Sequence, residues 1–170
     1  FLSFYLLSSL DLPKESLAKA VEVLSNFLME TGFGQALDLL AEKEKEFNED
    51  LVLKIHHYKT AEYSVAGPLC LGAILAGVAE EKLVAIKDFG IPVGVAFQLK
   101  DDELGMYSTE LELGKPIGSD IKAGKVTLLI SKALELASPD DKAFLESVYG
   151  SSRITDDEIE RVKKIIKECG

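Results

Sequence analysis

The sequence predicts an all-α fold. Apolar residues recur at spacings of three and four along most of the chain, helix caps and stops frame these stretches, and strand patterns are essentially absent. The chain has 170 residues, of which 47% are apolar and 28% are charged. We therefore expect a single domain, residues 1–170, packed around one hydrophobic core.

The first half of the chain predicts long helices. Asp11 is a candidate cap for the first of them, and Gly32 is a candidate stop. Gly90, Pro92 and Gly94 should bend the fourth helix or allow a neighbour to pack closely. In chain order, the predicted helices run from Pro13 to Glu30, from Gly34 to Phe47, from near Asp50 to Gly77, and from Glu81 to Leu104.

The second half predicts shorter helices after an irregular connection. Glycines and a proline interrupt any period between Ser108 and Gly124, and connections of that length in compact domains are usually functional. Ser138 followed by Pro139 begins one helix, and Thr155 with Glu158 forms a capping box for the last. The predicted helices are Val126 to Leu136, Ala143 to Tyr149 and a final one through Glu158 to Cys169. The total is about six or seven.

The charge and the cysteines exclude several classes of protein. The formal net charge of −10 repels nucleic-acid phosphates and anionic membrane surfaces, so we expect no nucleic-acid partner. The longest uncharged run, Tyr63 to Ala79, is too short for a transmembrane segment.

Cys70 and Cys169 give no disulfide framework, which favours a reducing compartment, the cytoplasm. Because the chain starts at Phe1 inside an apolar pattern and stops within a helix, we expect a truncated piece.

Adjacent aspartates near the end of the fourth helix are the strongest chemical signal. Helical spacing places Asp101 and Asp102 on one stripe with Gln98 and the small residues Gly94 and Gly105. Such a pair is most often a solvated face. The helix dipole, however, disfavours negative charge at a helix end, so a compensating cation is expected. Magnesium would suit it, because carboxylates, phosphates and water are its usual ligands.

Two other paired aspartates in the chain need no such explanation. Asp140-Asp141 and Asp156-Asp157 each follow a Ser or Thr at a helix start, where capping and the helix dipole account for them. Only the Asp101-Asp102 pair is therefore a candidate for binding a cation.

Lysines supply candidate partners for a phosphate. The segment from Gly114 to Lys125 mixes glycines with lysines, and glycines let the backbone approach an anion while each lysine offers a compact positive charge. Lys59 lies beside Thr60 in a stretch that soon becomes apolar. Its ammonium group either snorkels to water or points into a polar cavity.

Four stretches in this order carry a family resemblance: Gly34-Gln35 with Leu37-Asp38, Lys59-Thr60, Phe97 to Gly105, and Leu113 to Asp120 with Gly124-Lys125 and Thr127. Together they resemble the trans-polyprenyl diphosphate synthases, such as geranylgeranyl and farnesyl diphosphate synthases. The resemblance implies an all-α bundle of the isoprenoid synthase type around a central cavity. It implies elongation of an allylic diphosphate with isopentenyl diphosphate, Mg²⁺ as the cofactor, and a homodimer.

The resemblance also implies roles for single residues. Asp101 and Asp102 match the second aspartate-rich motif of the family, which binds the magnesium held by the allylic diphosphate, and Asp120 matches an acidic residue near the metals.

Lys59, Lys115 and Lys125 match the lysines that grip the diphosphate. Thr60 and Gln98 match neighbouring residues that line the reacting centre.

This sequence departs from the family pattern at two points. Gly105 stands where many members carry a third aspartate, a variation also seen within the family. The first aspartate-rich motif is absent, because in the family it lies upstream of the stretches matched here. We therefore expect the bundle to be incomplete, with its N-terminal helices missing, and this chain to be inactive alone.

A second function stays open on the sequence alone: a noncatalytic helical subunit that pairs with an active synthase. The combined presence of Lys59, Asp101, Asp102, Lys115 and Lys125 argues against it, because a pure scaffold would not require them. A hydrolytic metal site built on His56 and His57 is disfavoured, since adjacent helical residues point in different directions.

Overall fold

A computed structural model describes residues 2–108 and 118–169, and within these ranges the protein is helical and contains no strand. The all-α prediction is confirmed. The described elements are α1 (Leu2–Ser8), α2 (Lys14–Glu44), α3 (Glu49–Ile55), a π-helical segment (His56–Ala66), α4 (Gly67–Leu75), α5 (Glu80–Tyr107), α6 (Ser119–Ala123), α7 (Leu128–Leu136), α8 (Pro139–Val148) and α9 (Asp156–Glu168).

Helix α2 corrects the prediction of two separate helices. It runs without interruption past Gly32, the predicted stop, and ends at Glu44 because Lys45 adopts a left-handed backbone conformation with φ 54°. A glycine inside a helix costs only about 1 kcal/mol, which tertiary packing can offset. A local stop signal was therefore overridden by the surroundings of the helix.

The predicted third helix contains an unexpected π-helical segment. Residues His56–Ala66 follow the wider i to i+5 pattern between α3 and α4, and they include Lys59 and Thr60. Short π-helical stretches inside helices occur frequently at functional sites.

Helix α5 shows close packing, the second of the two alternatives predicted for Gly90, Pro92 and Gly94. It continues through Pro92. A Cβ atom at Gly90 would lie 2.8 Å from Cα of Ala66, and one at Gly94 would overlap Ala61. These glycines therefore let α5 approach the π-helical segment.

The caps predicted in the second half are present. Ser138 accepts a hydrogen bond from the backbone N–H of Asp141, with Pro139 in the first turn of α8. Thr155 and Glu158 form the reciprocal capping box of α9. The irregular segment predicted from Ser108 to Gly124 is partly wrong, because its last residues form α6.

The contacts divide the chain into two compact units. The first unit comprises residues 1–36 and 54–98, and the second comprises residues 37–53 and 99–170, so the boundary falls within α2, α3 and α5. The first unit packs Leu7, Ala20, Leu24, Phe27 and Ile74 together. The second has a larger cluster centred on fully buried side chains such as Met106, Ile121, Ile130, Leu145 and Ile159. The single domain over residues 1–170 stays a prediction.

Within residues 2–108 and 118–169, no helix combines the length and the apolar character that crossing a bilayer requires.

Candidate functional site

Asp101 and Asp102 lie near the C-terminal end of α5 and have opposite environments. Asp102 is 3% exposed, whereas Asp101 is exposed to solvent. Consecutive residues of a helix point about 100° apart, so only one of the two carboxylates turns into the protein. The prediction that both carboxylates share one stripe of the helix is therefore wrong. The pair therefore presents one buried and one accessible carboxylate.

Lys125 supplies the positive charge that the buried carboxylate requires. Its Nζ lies 2.8 Å from Oδ1 of Asp102 and 3.7 Å from Oδ2 of Asp120. Burial lowers the pKa of Lys125, but the charge and hydrogen bond of Asp102 together with the charges of Asp120 and Asp101 outweigh this, and the pKa is raised above its usual value. Lys125 is therefore a fixed ammonium group beside two carboxylates.

Two glycines bring Asp120 and Lys125 together around the short helix α6. Gly118 precedes the helix with φ 71° and Gly124 follows it with φ 73°, a left-handed conformation that costs glycine little. The backbone N–H of Lys125 donates to the carbonyl oxygen of Asp120 at 3.0 Å. The Asp120 and Lys125 side chains therefore both extend from the compact turn built around α6.

Gly105 leaves room for Asp120 on the surface of α5. A Cβ atom at this position would lie only 2.5 Å from Oδ2 of Asp120. Gly105, the fifth position of the motif that starts at Asp101, thus contributes space instead of a carboxylate, and Asp120 occupies that space.

The donor atoms of this cluster fit magnesium. Among residues 2–108 and 118–169, no three acidic, histidine or cysteine side chains are grouped so that they could hold a metal ion unaided. Carboxylate oxygens are nevertheless the ligands that magnesium prefers, and one or two of them commonly suffice when phosphate oxygens and water complete the shell. Asp102 and Asp120 share one ammonium group, so the cluster retains negative charge for a cation.

In the first unit, the predicted residues Thr60 and Gln98 contact each other. The hydroxyl group of Thr60 donates to Oε1 of Gln98 at 2.8 Å, which links the π-helical segment to α5. Thr60 is buried and Gln98 is partly buried. This hydrogen bond fixes the orientation of the Gln98 amide, because the amide oxygen is the atom that accepts from Thr60.

The backbone of Lys59 lies in close contact with α2 at Gly34. A Cβ atom at Gly34 would overlap the backbone of Tyr58 and Lys59. The Lys59 side chain is half-buried, as expected for a lysine at the edge of an apolar region. Gly34, one of the residues behind the family resemblance, therefore has a packing role beside Lys59.

A charged cluster around the buried carboxylate of Glu62, in the first unit, was not predicted. Glu62 is 3% exposed, and its Oε1 lies 2.7 Å from Nζ of Lys87 and 3.5 Å from Nε2 of His57. Burial and the charge of Glu62 raise the pKa of Glu30. No local pattern indicates this cluster, because its members lie on three different helical segments.

One predicted site residue, Lys115, lies outside the described residues. Cys70 is buried among apolar core residues.

Comparison with known proteins places the chain in a family. A family model described as polyprenyl synthetase matches residues 1–168. The chain is 35% identical over 157 residues to a geranylgeranyl diphosphate synthase of Sulfolobus acidocaldarius, covering 92% of this chain and 47% of that protein. It is 39% identical over 137 residues to a short chain isoprenyl diphosphate synthase of Methanothermobacter thermautotrophicus, covering 81% and 42%.

The structure agrees with the sequence comparison. A crystal structure of geranylgeranyl pyrophosphate synthase from Corynebacterium glutamicum, complexed with isoprenyl diphosphate and magnesium, superposes with a TM-score of 0.88 at 32% identity. The alignment covers 94% of this chain and 45% of that one. The chain belongs to the polyprenyl synthetase family, and it spans about half the length of the relatives it matches.

Proposed function

We propose that the whole protein is a magnesium-dependent trans-prenyltransferase that condenses an allylic diphosphate with isopentenyl diphosphate. Membership of the polyprenyl synthetase family supports this reaction class. The observation that carries the proposal is the cluster in which the Lys125 ammonium group lies between the carboxylates of Asp102 and Asp120. Such a cluster combines a cation site with a positive group for phosphate.

In the second unit, Asp101, Asp102 and Asp120 would hold Mg²⁺. The metal would withdraw electron density from the departing diphosphate. Lys125 would add a positive charge for the phosphate oxygens, and unit charges about 4 Å apart attract by about 4 kcal/mol at an effective dielectric constant near 20. A diphosphate is a poor leaving group, and this stabilisation lowers the barrier to its departure.

In the first unit, Lys59 would bind the same class of phosphate oxygen. Thr60 orients Gln98 through their hydrogen bond, and both would line the reacting centre. Lys115 has the same proposed role as Lys59, by resemblance.

The proposal extends to the state of the protein. The resemblance favours a homodimer, and the thiols of Cys70 and Cys169, neither of which forms a disulfide, favour the reducing cytoplasm. Because the chain spans about half the length of its relatives, we propose that residues 1–170 alone do not catalyse the reaction.

The test is product formation by the intact protein. Purified intact protein is incubated with an allylic diphosphate, labelled isopentenyl diphosphate and MgCl₂, with and without a chelator. We expect a labelled product one isoprene unit longer or more, which is lost when the metal is chelated. Residues 1–170 alone should give no product.

The alternative, a noncatalytic subunit, makes the opposite prediction. It requires that the intact protein give no product by itself and that product appear only when an active synthase is added. That result would overturn the proposal.

A further inference from the structure

Tyr149, the residue that follows α8, makes a contact with the backbone of Lys125. The side chain of Tyr149 is 4% exposed, and its hydroxyl group donates a hydrogen bond to the carbonyl oxygen of Lys125 at 2.8 Å. Burial raises the pKa of this phenol, so the hydroxyl group keeps its proton at neutral pH. The Tyr149 hydroxyl group therefore remains a hydrogen-bond donor to the backbone of Lys125 at neutral pH.

The neighbours of Tyr149 restrict its movement. The ring of Phe47 packs edge to face against it, with ring centroids 5.9 Å apart. The next residue, Gly150, donates its backbone N–H to the carbonyl oxygen of Ile121 in α6 at 2.9 Å. One dipeptide therefore holds the turn around Lys125 through two hydrogen bonds.

Both the backbone N–H and the backbone carbonyl oxygen of Lys125 form hydrogen bonds. Its N–H donates to the carbonyl oxygen of Asp120, and its carbonyl oxygen accepts from Tyr149. A lysine side chain has several rotatable bonds and loses entropy when it is held in one position. Fixing its backbone reduces the space that the ammonium group can explore around Asp102.

We propose that Tyr149 is a positioning residue for Lys125: its buried hydroxyl group holds the lysine backbone so that the ammonium group stays at the diphosphate and metal cluster. This inference rests on the proposed role of Lys125 in binding diphosphate. Tyr149 itself touches no reacting group.

A purely structural role for Tyr149 must be separated from a positioning role. Its hydroxyl group also interacts with the side chain of Thr127, the N-cap of α7, so loss of the hydroxyl group could act through the fold. The two roles differ in one respect. A positioning effect on ligand binding requires the Lys125 side chain, whereas an effect through the fold does not.

The experiment measures the binding of inorganic pyrophosphate in the presence of MgCl₂ by calorimetry, using the intact protein. Tyr149→Phe is measured in the wild-type background and in a Lys125→Ala background. We expect Tyr149→Phe to weaken pyrophosphate binding by about fivefold in the wild type, the equivalent of one hydrogen bond. In the Lys125→Ala background it should cause no further loss.

Tyr107→Phe is the matched control. The hydroxyl group of Tyr107, in the same unit, also donates to the backbone carbonyl oxygen of a lysine, Lys163, but at 3.5 Å and in a more exposed position. This variant should bind pyrophosphate as the wild type does. If Tyr149→Phe does not fold, Phe47→Leu loosens the same ring, keeps the hydroxyl group and must follow the same pattern in the two backgrounds.

The outcomes separate the inference from the proposed function. If Lys125→Ala weakens binding but Tyr149→Phe does not, or weakens it equally in both backgrounds, Tyr149 is not a positioning residue and the proposed function is unaffected. If Lys125→Ala itself leaves pyrophosphate binding unchanged, the proposed role of Lys125 is wrong and the inference is overturned with it.

Discussion

Oδ2 of Asp120 lies 2.5 Å from the point that a Cβ atom on Gly105 would occupy. A Cβ atom and a non-bonded oxygen atom do not approach that closely, so the Asp120 carboxylate can occupy this place against α5 only because residue 105 has no side chain. The position that carries a third aspartate in many family members here makes space for an aspartate from another element.

Gly105→Ala should therefore displace the Asp120 carboxylate. We expect pyrophosphate to bind on the order of tenfold more weakly in MgCl₂, because one charged partner leaves the cluster. Calorimetry on the intact protein measures this change.

Gly32→Ala is the control for the glycine substitution itself. Gly32 is exposed in α2 and has nothing within 4 Å of its Cβ position, so alanine there should raise the free energy of unfolding by about 1 kcal/mol without changing binding. Unchanged pyrophosphate affinity in Gly105→Ala would show that the position of Asp120 does not matter for binding.

The ion pair between Asp102 and Lys125 should contribute strongly to stability in the absence of ligand. Asp102→Asn removes the partner of a lysine whose side chain is only 23% exposed, and we expect a loss of about 3 kcal/mol in the free energy of unfolding. Urea denaturation measures this loss.

Glu103→Gln makes the same carboxylate-to-amide change in an exposed ion pair, at the residue that follows Asp102. Lys100 and Glu103 are also 2.8 Å apart, but both side chains are exposed, so the loss should stay below about 1 kcal/mol. Equal losses for the two variants would contradict the buried character of the Asp102 pair.

The hydrogen bond between Thr60 and Gln98 should appear as a coupling energy. In a double-mutant cycle with Thr60→Val and Gln98→Leu, we expect the two substitutions to be coupled by about 1 kcal/mol in the free energy of unfolding. Thr60→Ser keeps the hydroxyl group and should keep most of that coupling. Additive losses would mean that the two side chains do not interact.

The raised pKa of Glu30 predicts a pH-dependent effect of Glu30→Gln. Burial and the charge of Glu62 make the folded protein hold the Glu30 proton more tightly than the unfolded chain does. The resulting stabilisation is present below the ordinary pKa of this carboxyl group and is lost as the pH rises through its folded value.

A glutamine side chain does not titrate, so the Glu30→Gln variant lacks this pH-dependent contribution to stability. The stability of Glu30→Gln relative to the wild type should therefore increase between about pH 4 and pH 7, as measured by urea denaturation. Glu146→Gln, an exposed change within α8, is the control and should show no such trend. A relative stability of Glu30→Gln that falls with pH would contradict the direction of the pKa shift.

The sequence predicted those features that depend on local chemistry. The capping residues Ser138 and Thr155 were identified because a cap is a local hydrogen bond. The helix dipole also predicted that a positive charge would compensate the aspartate pair, and the Lys125 ammonium group lies 2.8 Å from Asp102, although the sequence analysis named magnesium for this role and assigned Lys125 to phosphate.

The features that were missed depend on contacts between distant residues. Helix α2 continues through Gly32 although the local signal favours a stop. The ion pair of Glu62 with Lys87 and the contact of Tyr149 with Lys125 join residues 25 and 24 positions apart, respectively, and no periodicity encodes such pairings.

The most direct test compares two double variants of the intact protein that change the charge equally. Asp101→Asn with Asp102→Asn alters the proposed metal site, whereas Asp156→Asn with Asp157→Asn alters exposed aspartates in the first turn of α9. Calorimetry with pyrophosphate and MgCl₂ should show that the first variant loses the joint binding of metal and pyrophosphate and that the second retains it. Wild-type binding by the first variant would contradict the assignment of Asp101 and Asp102 as the metal-binding pair.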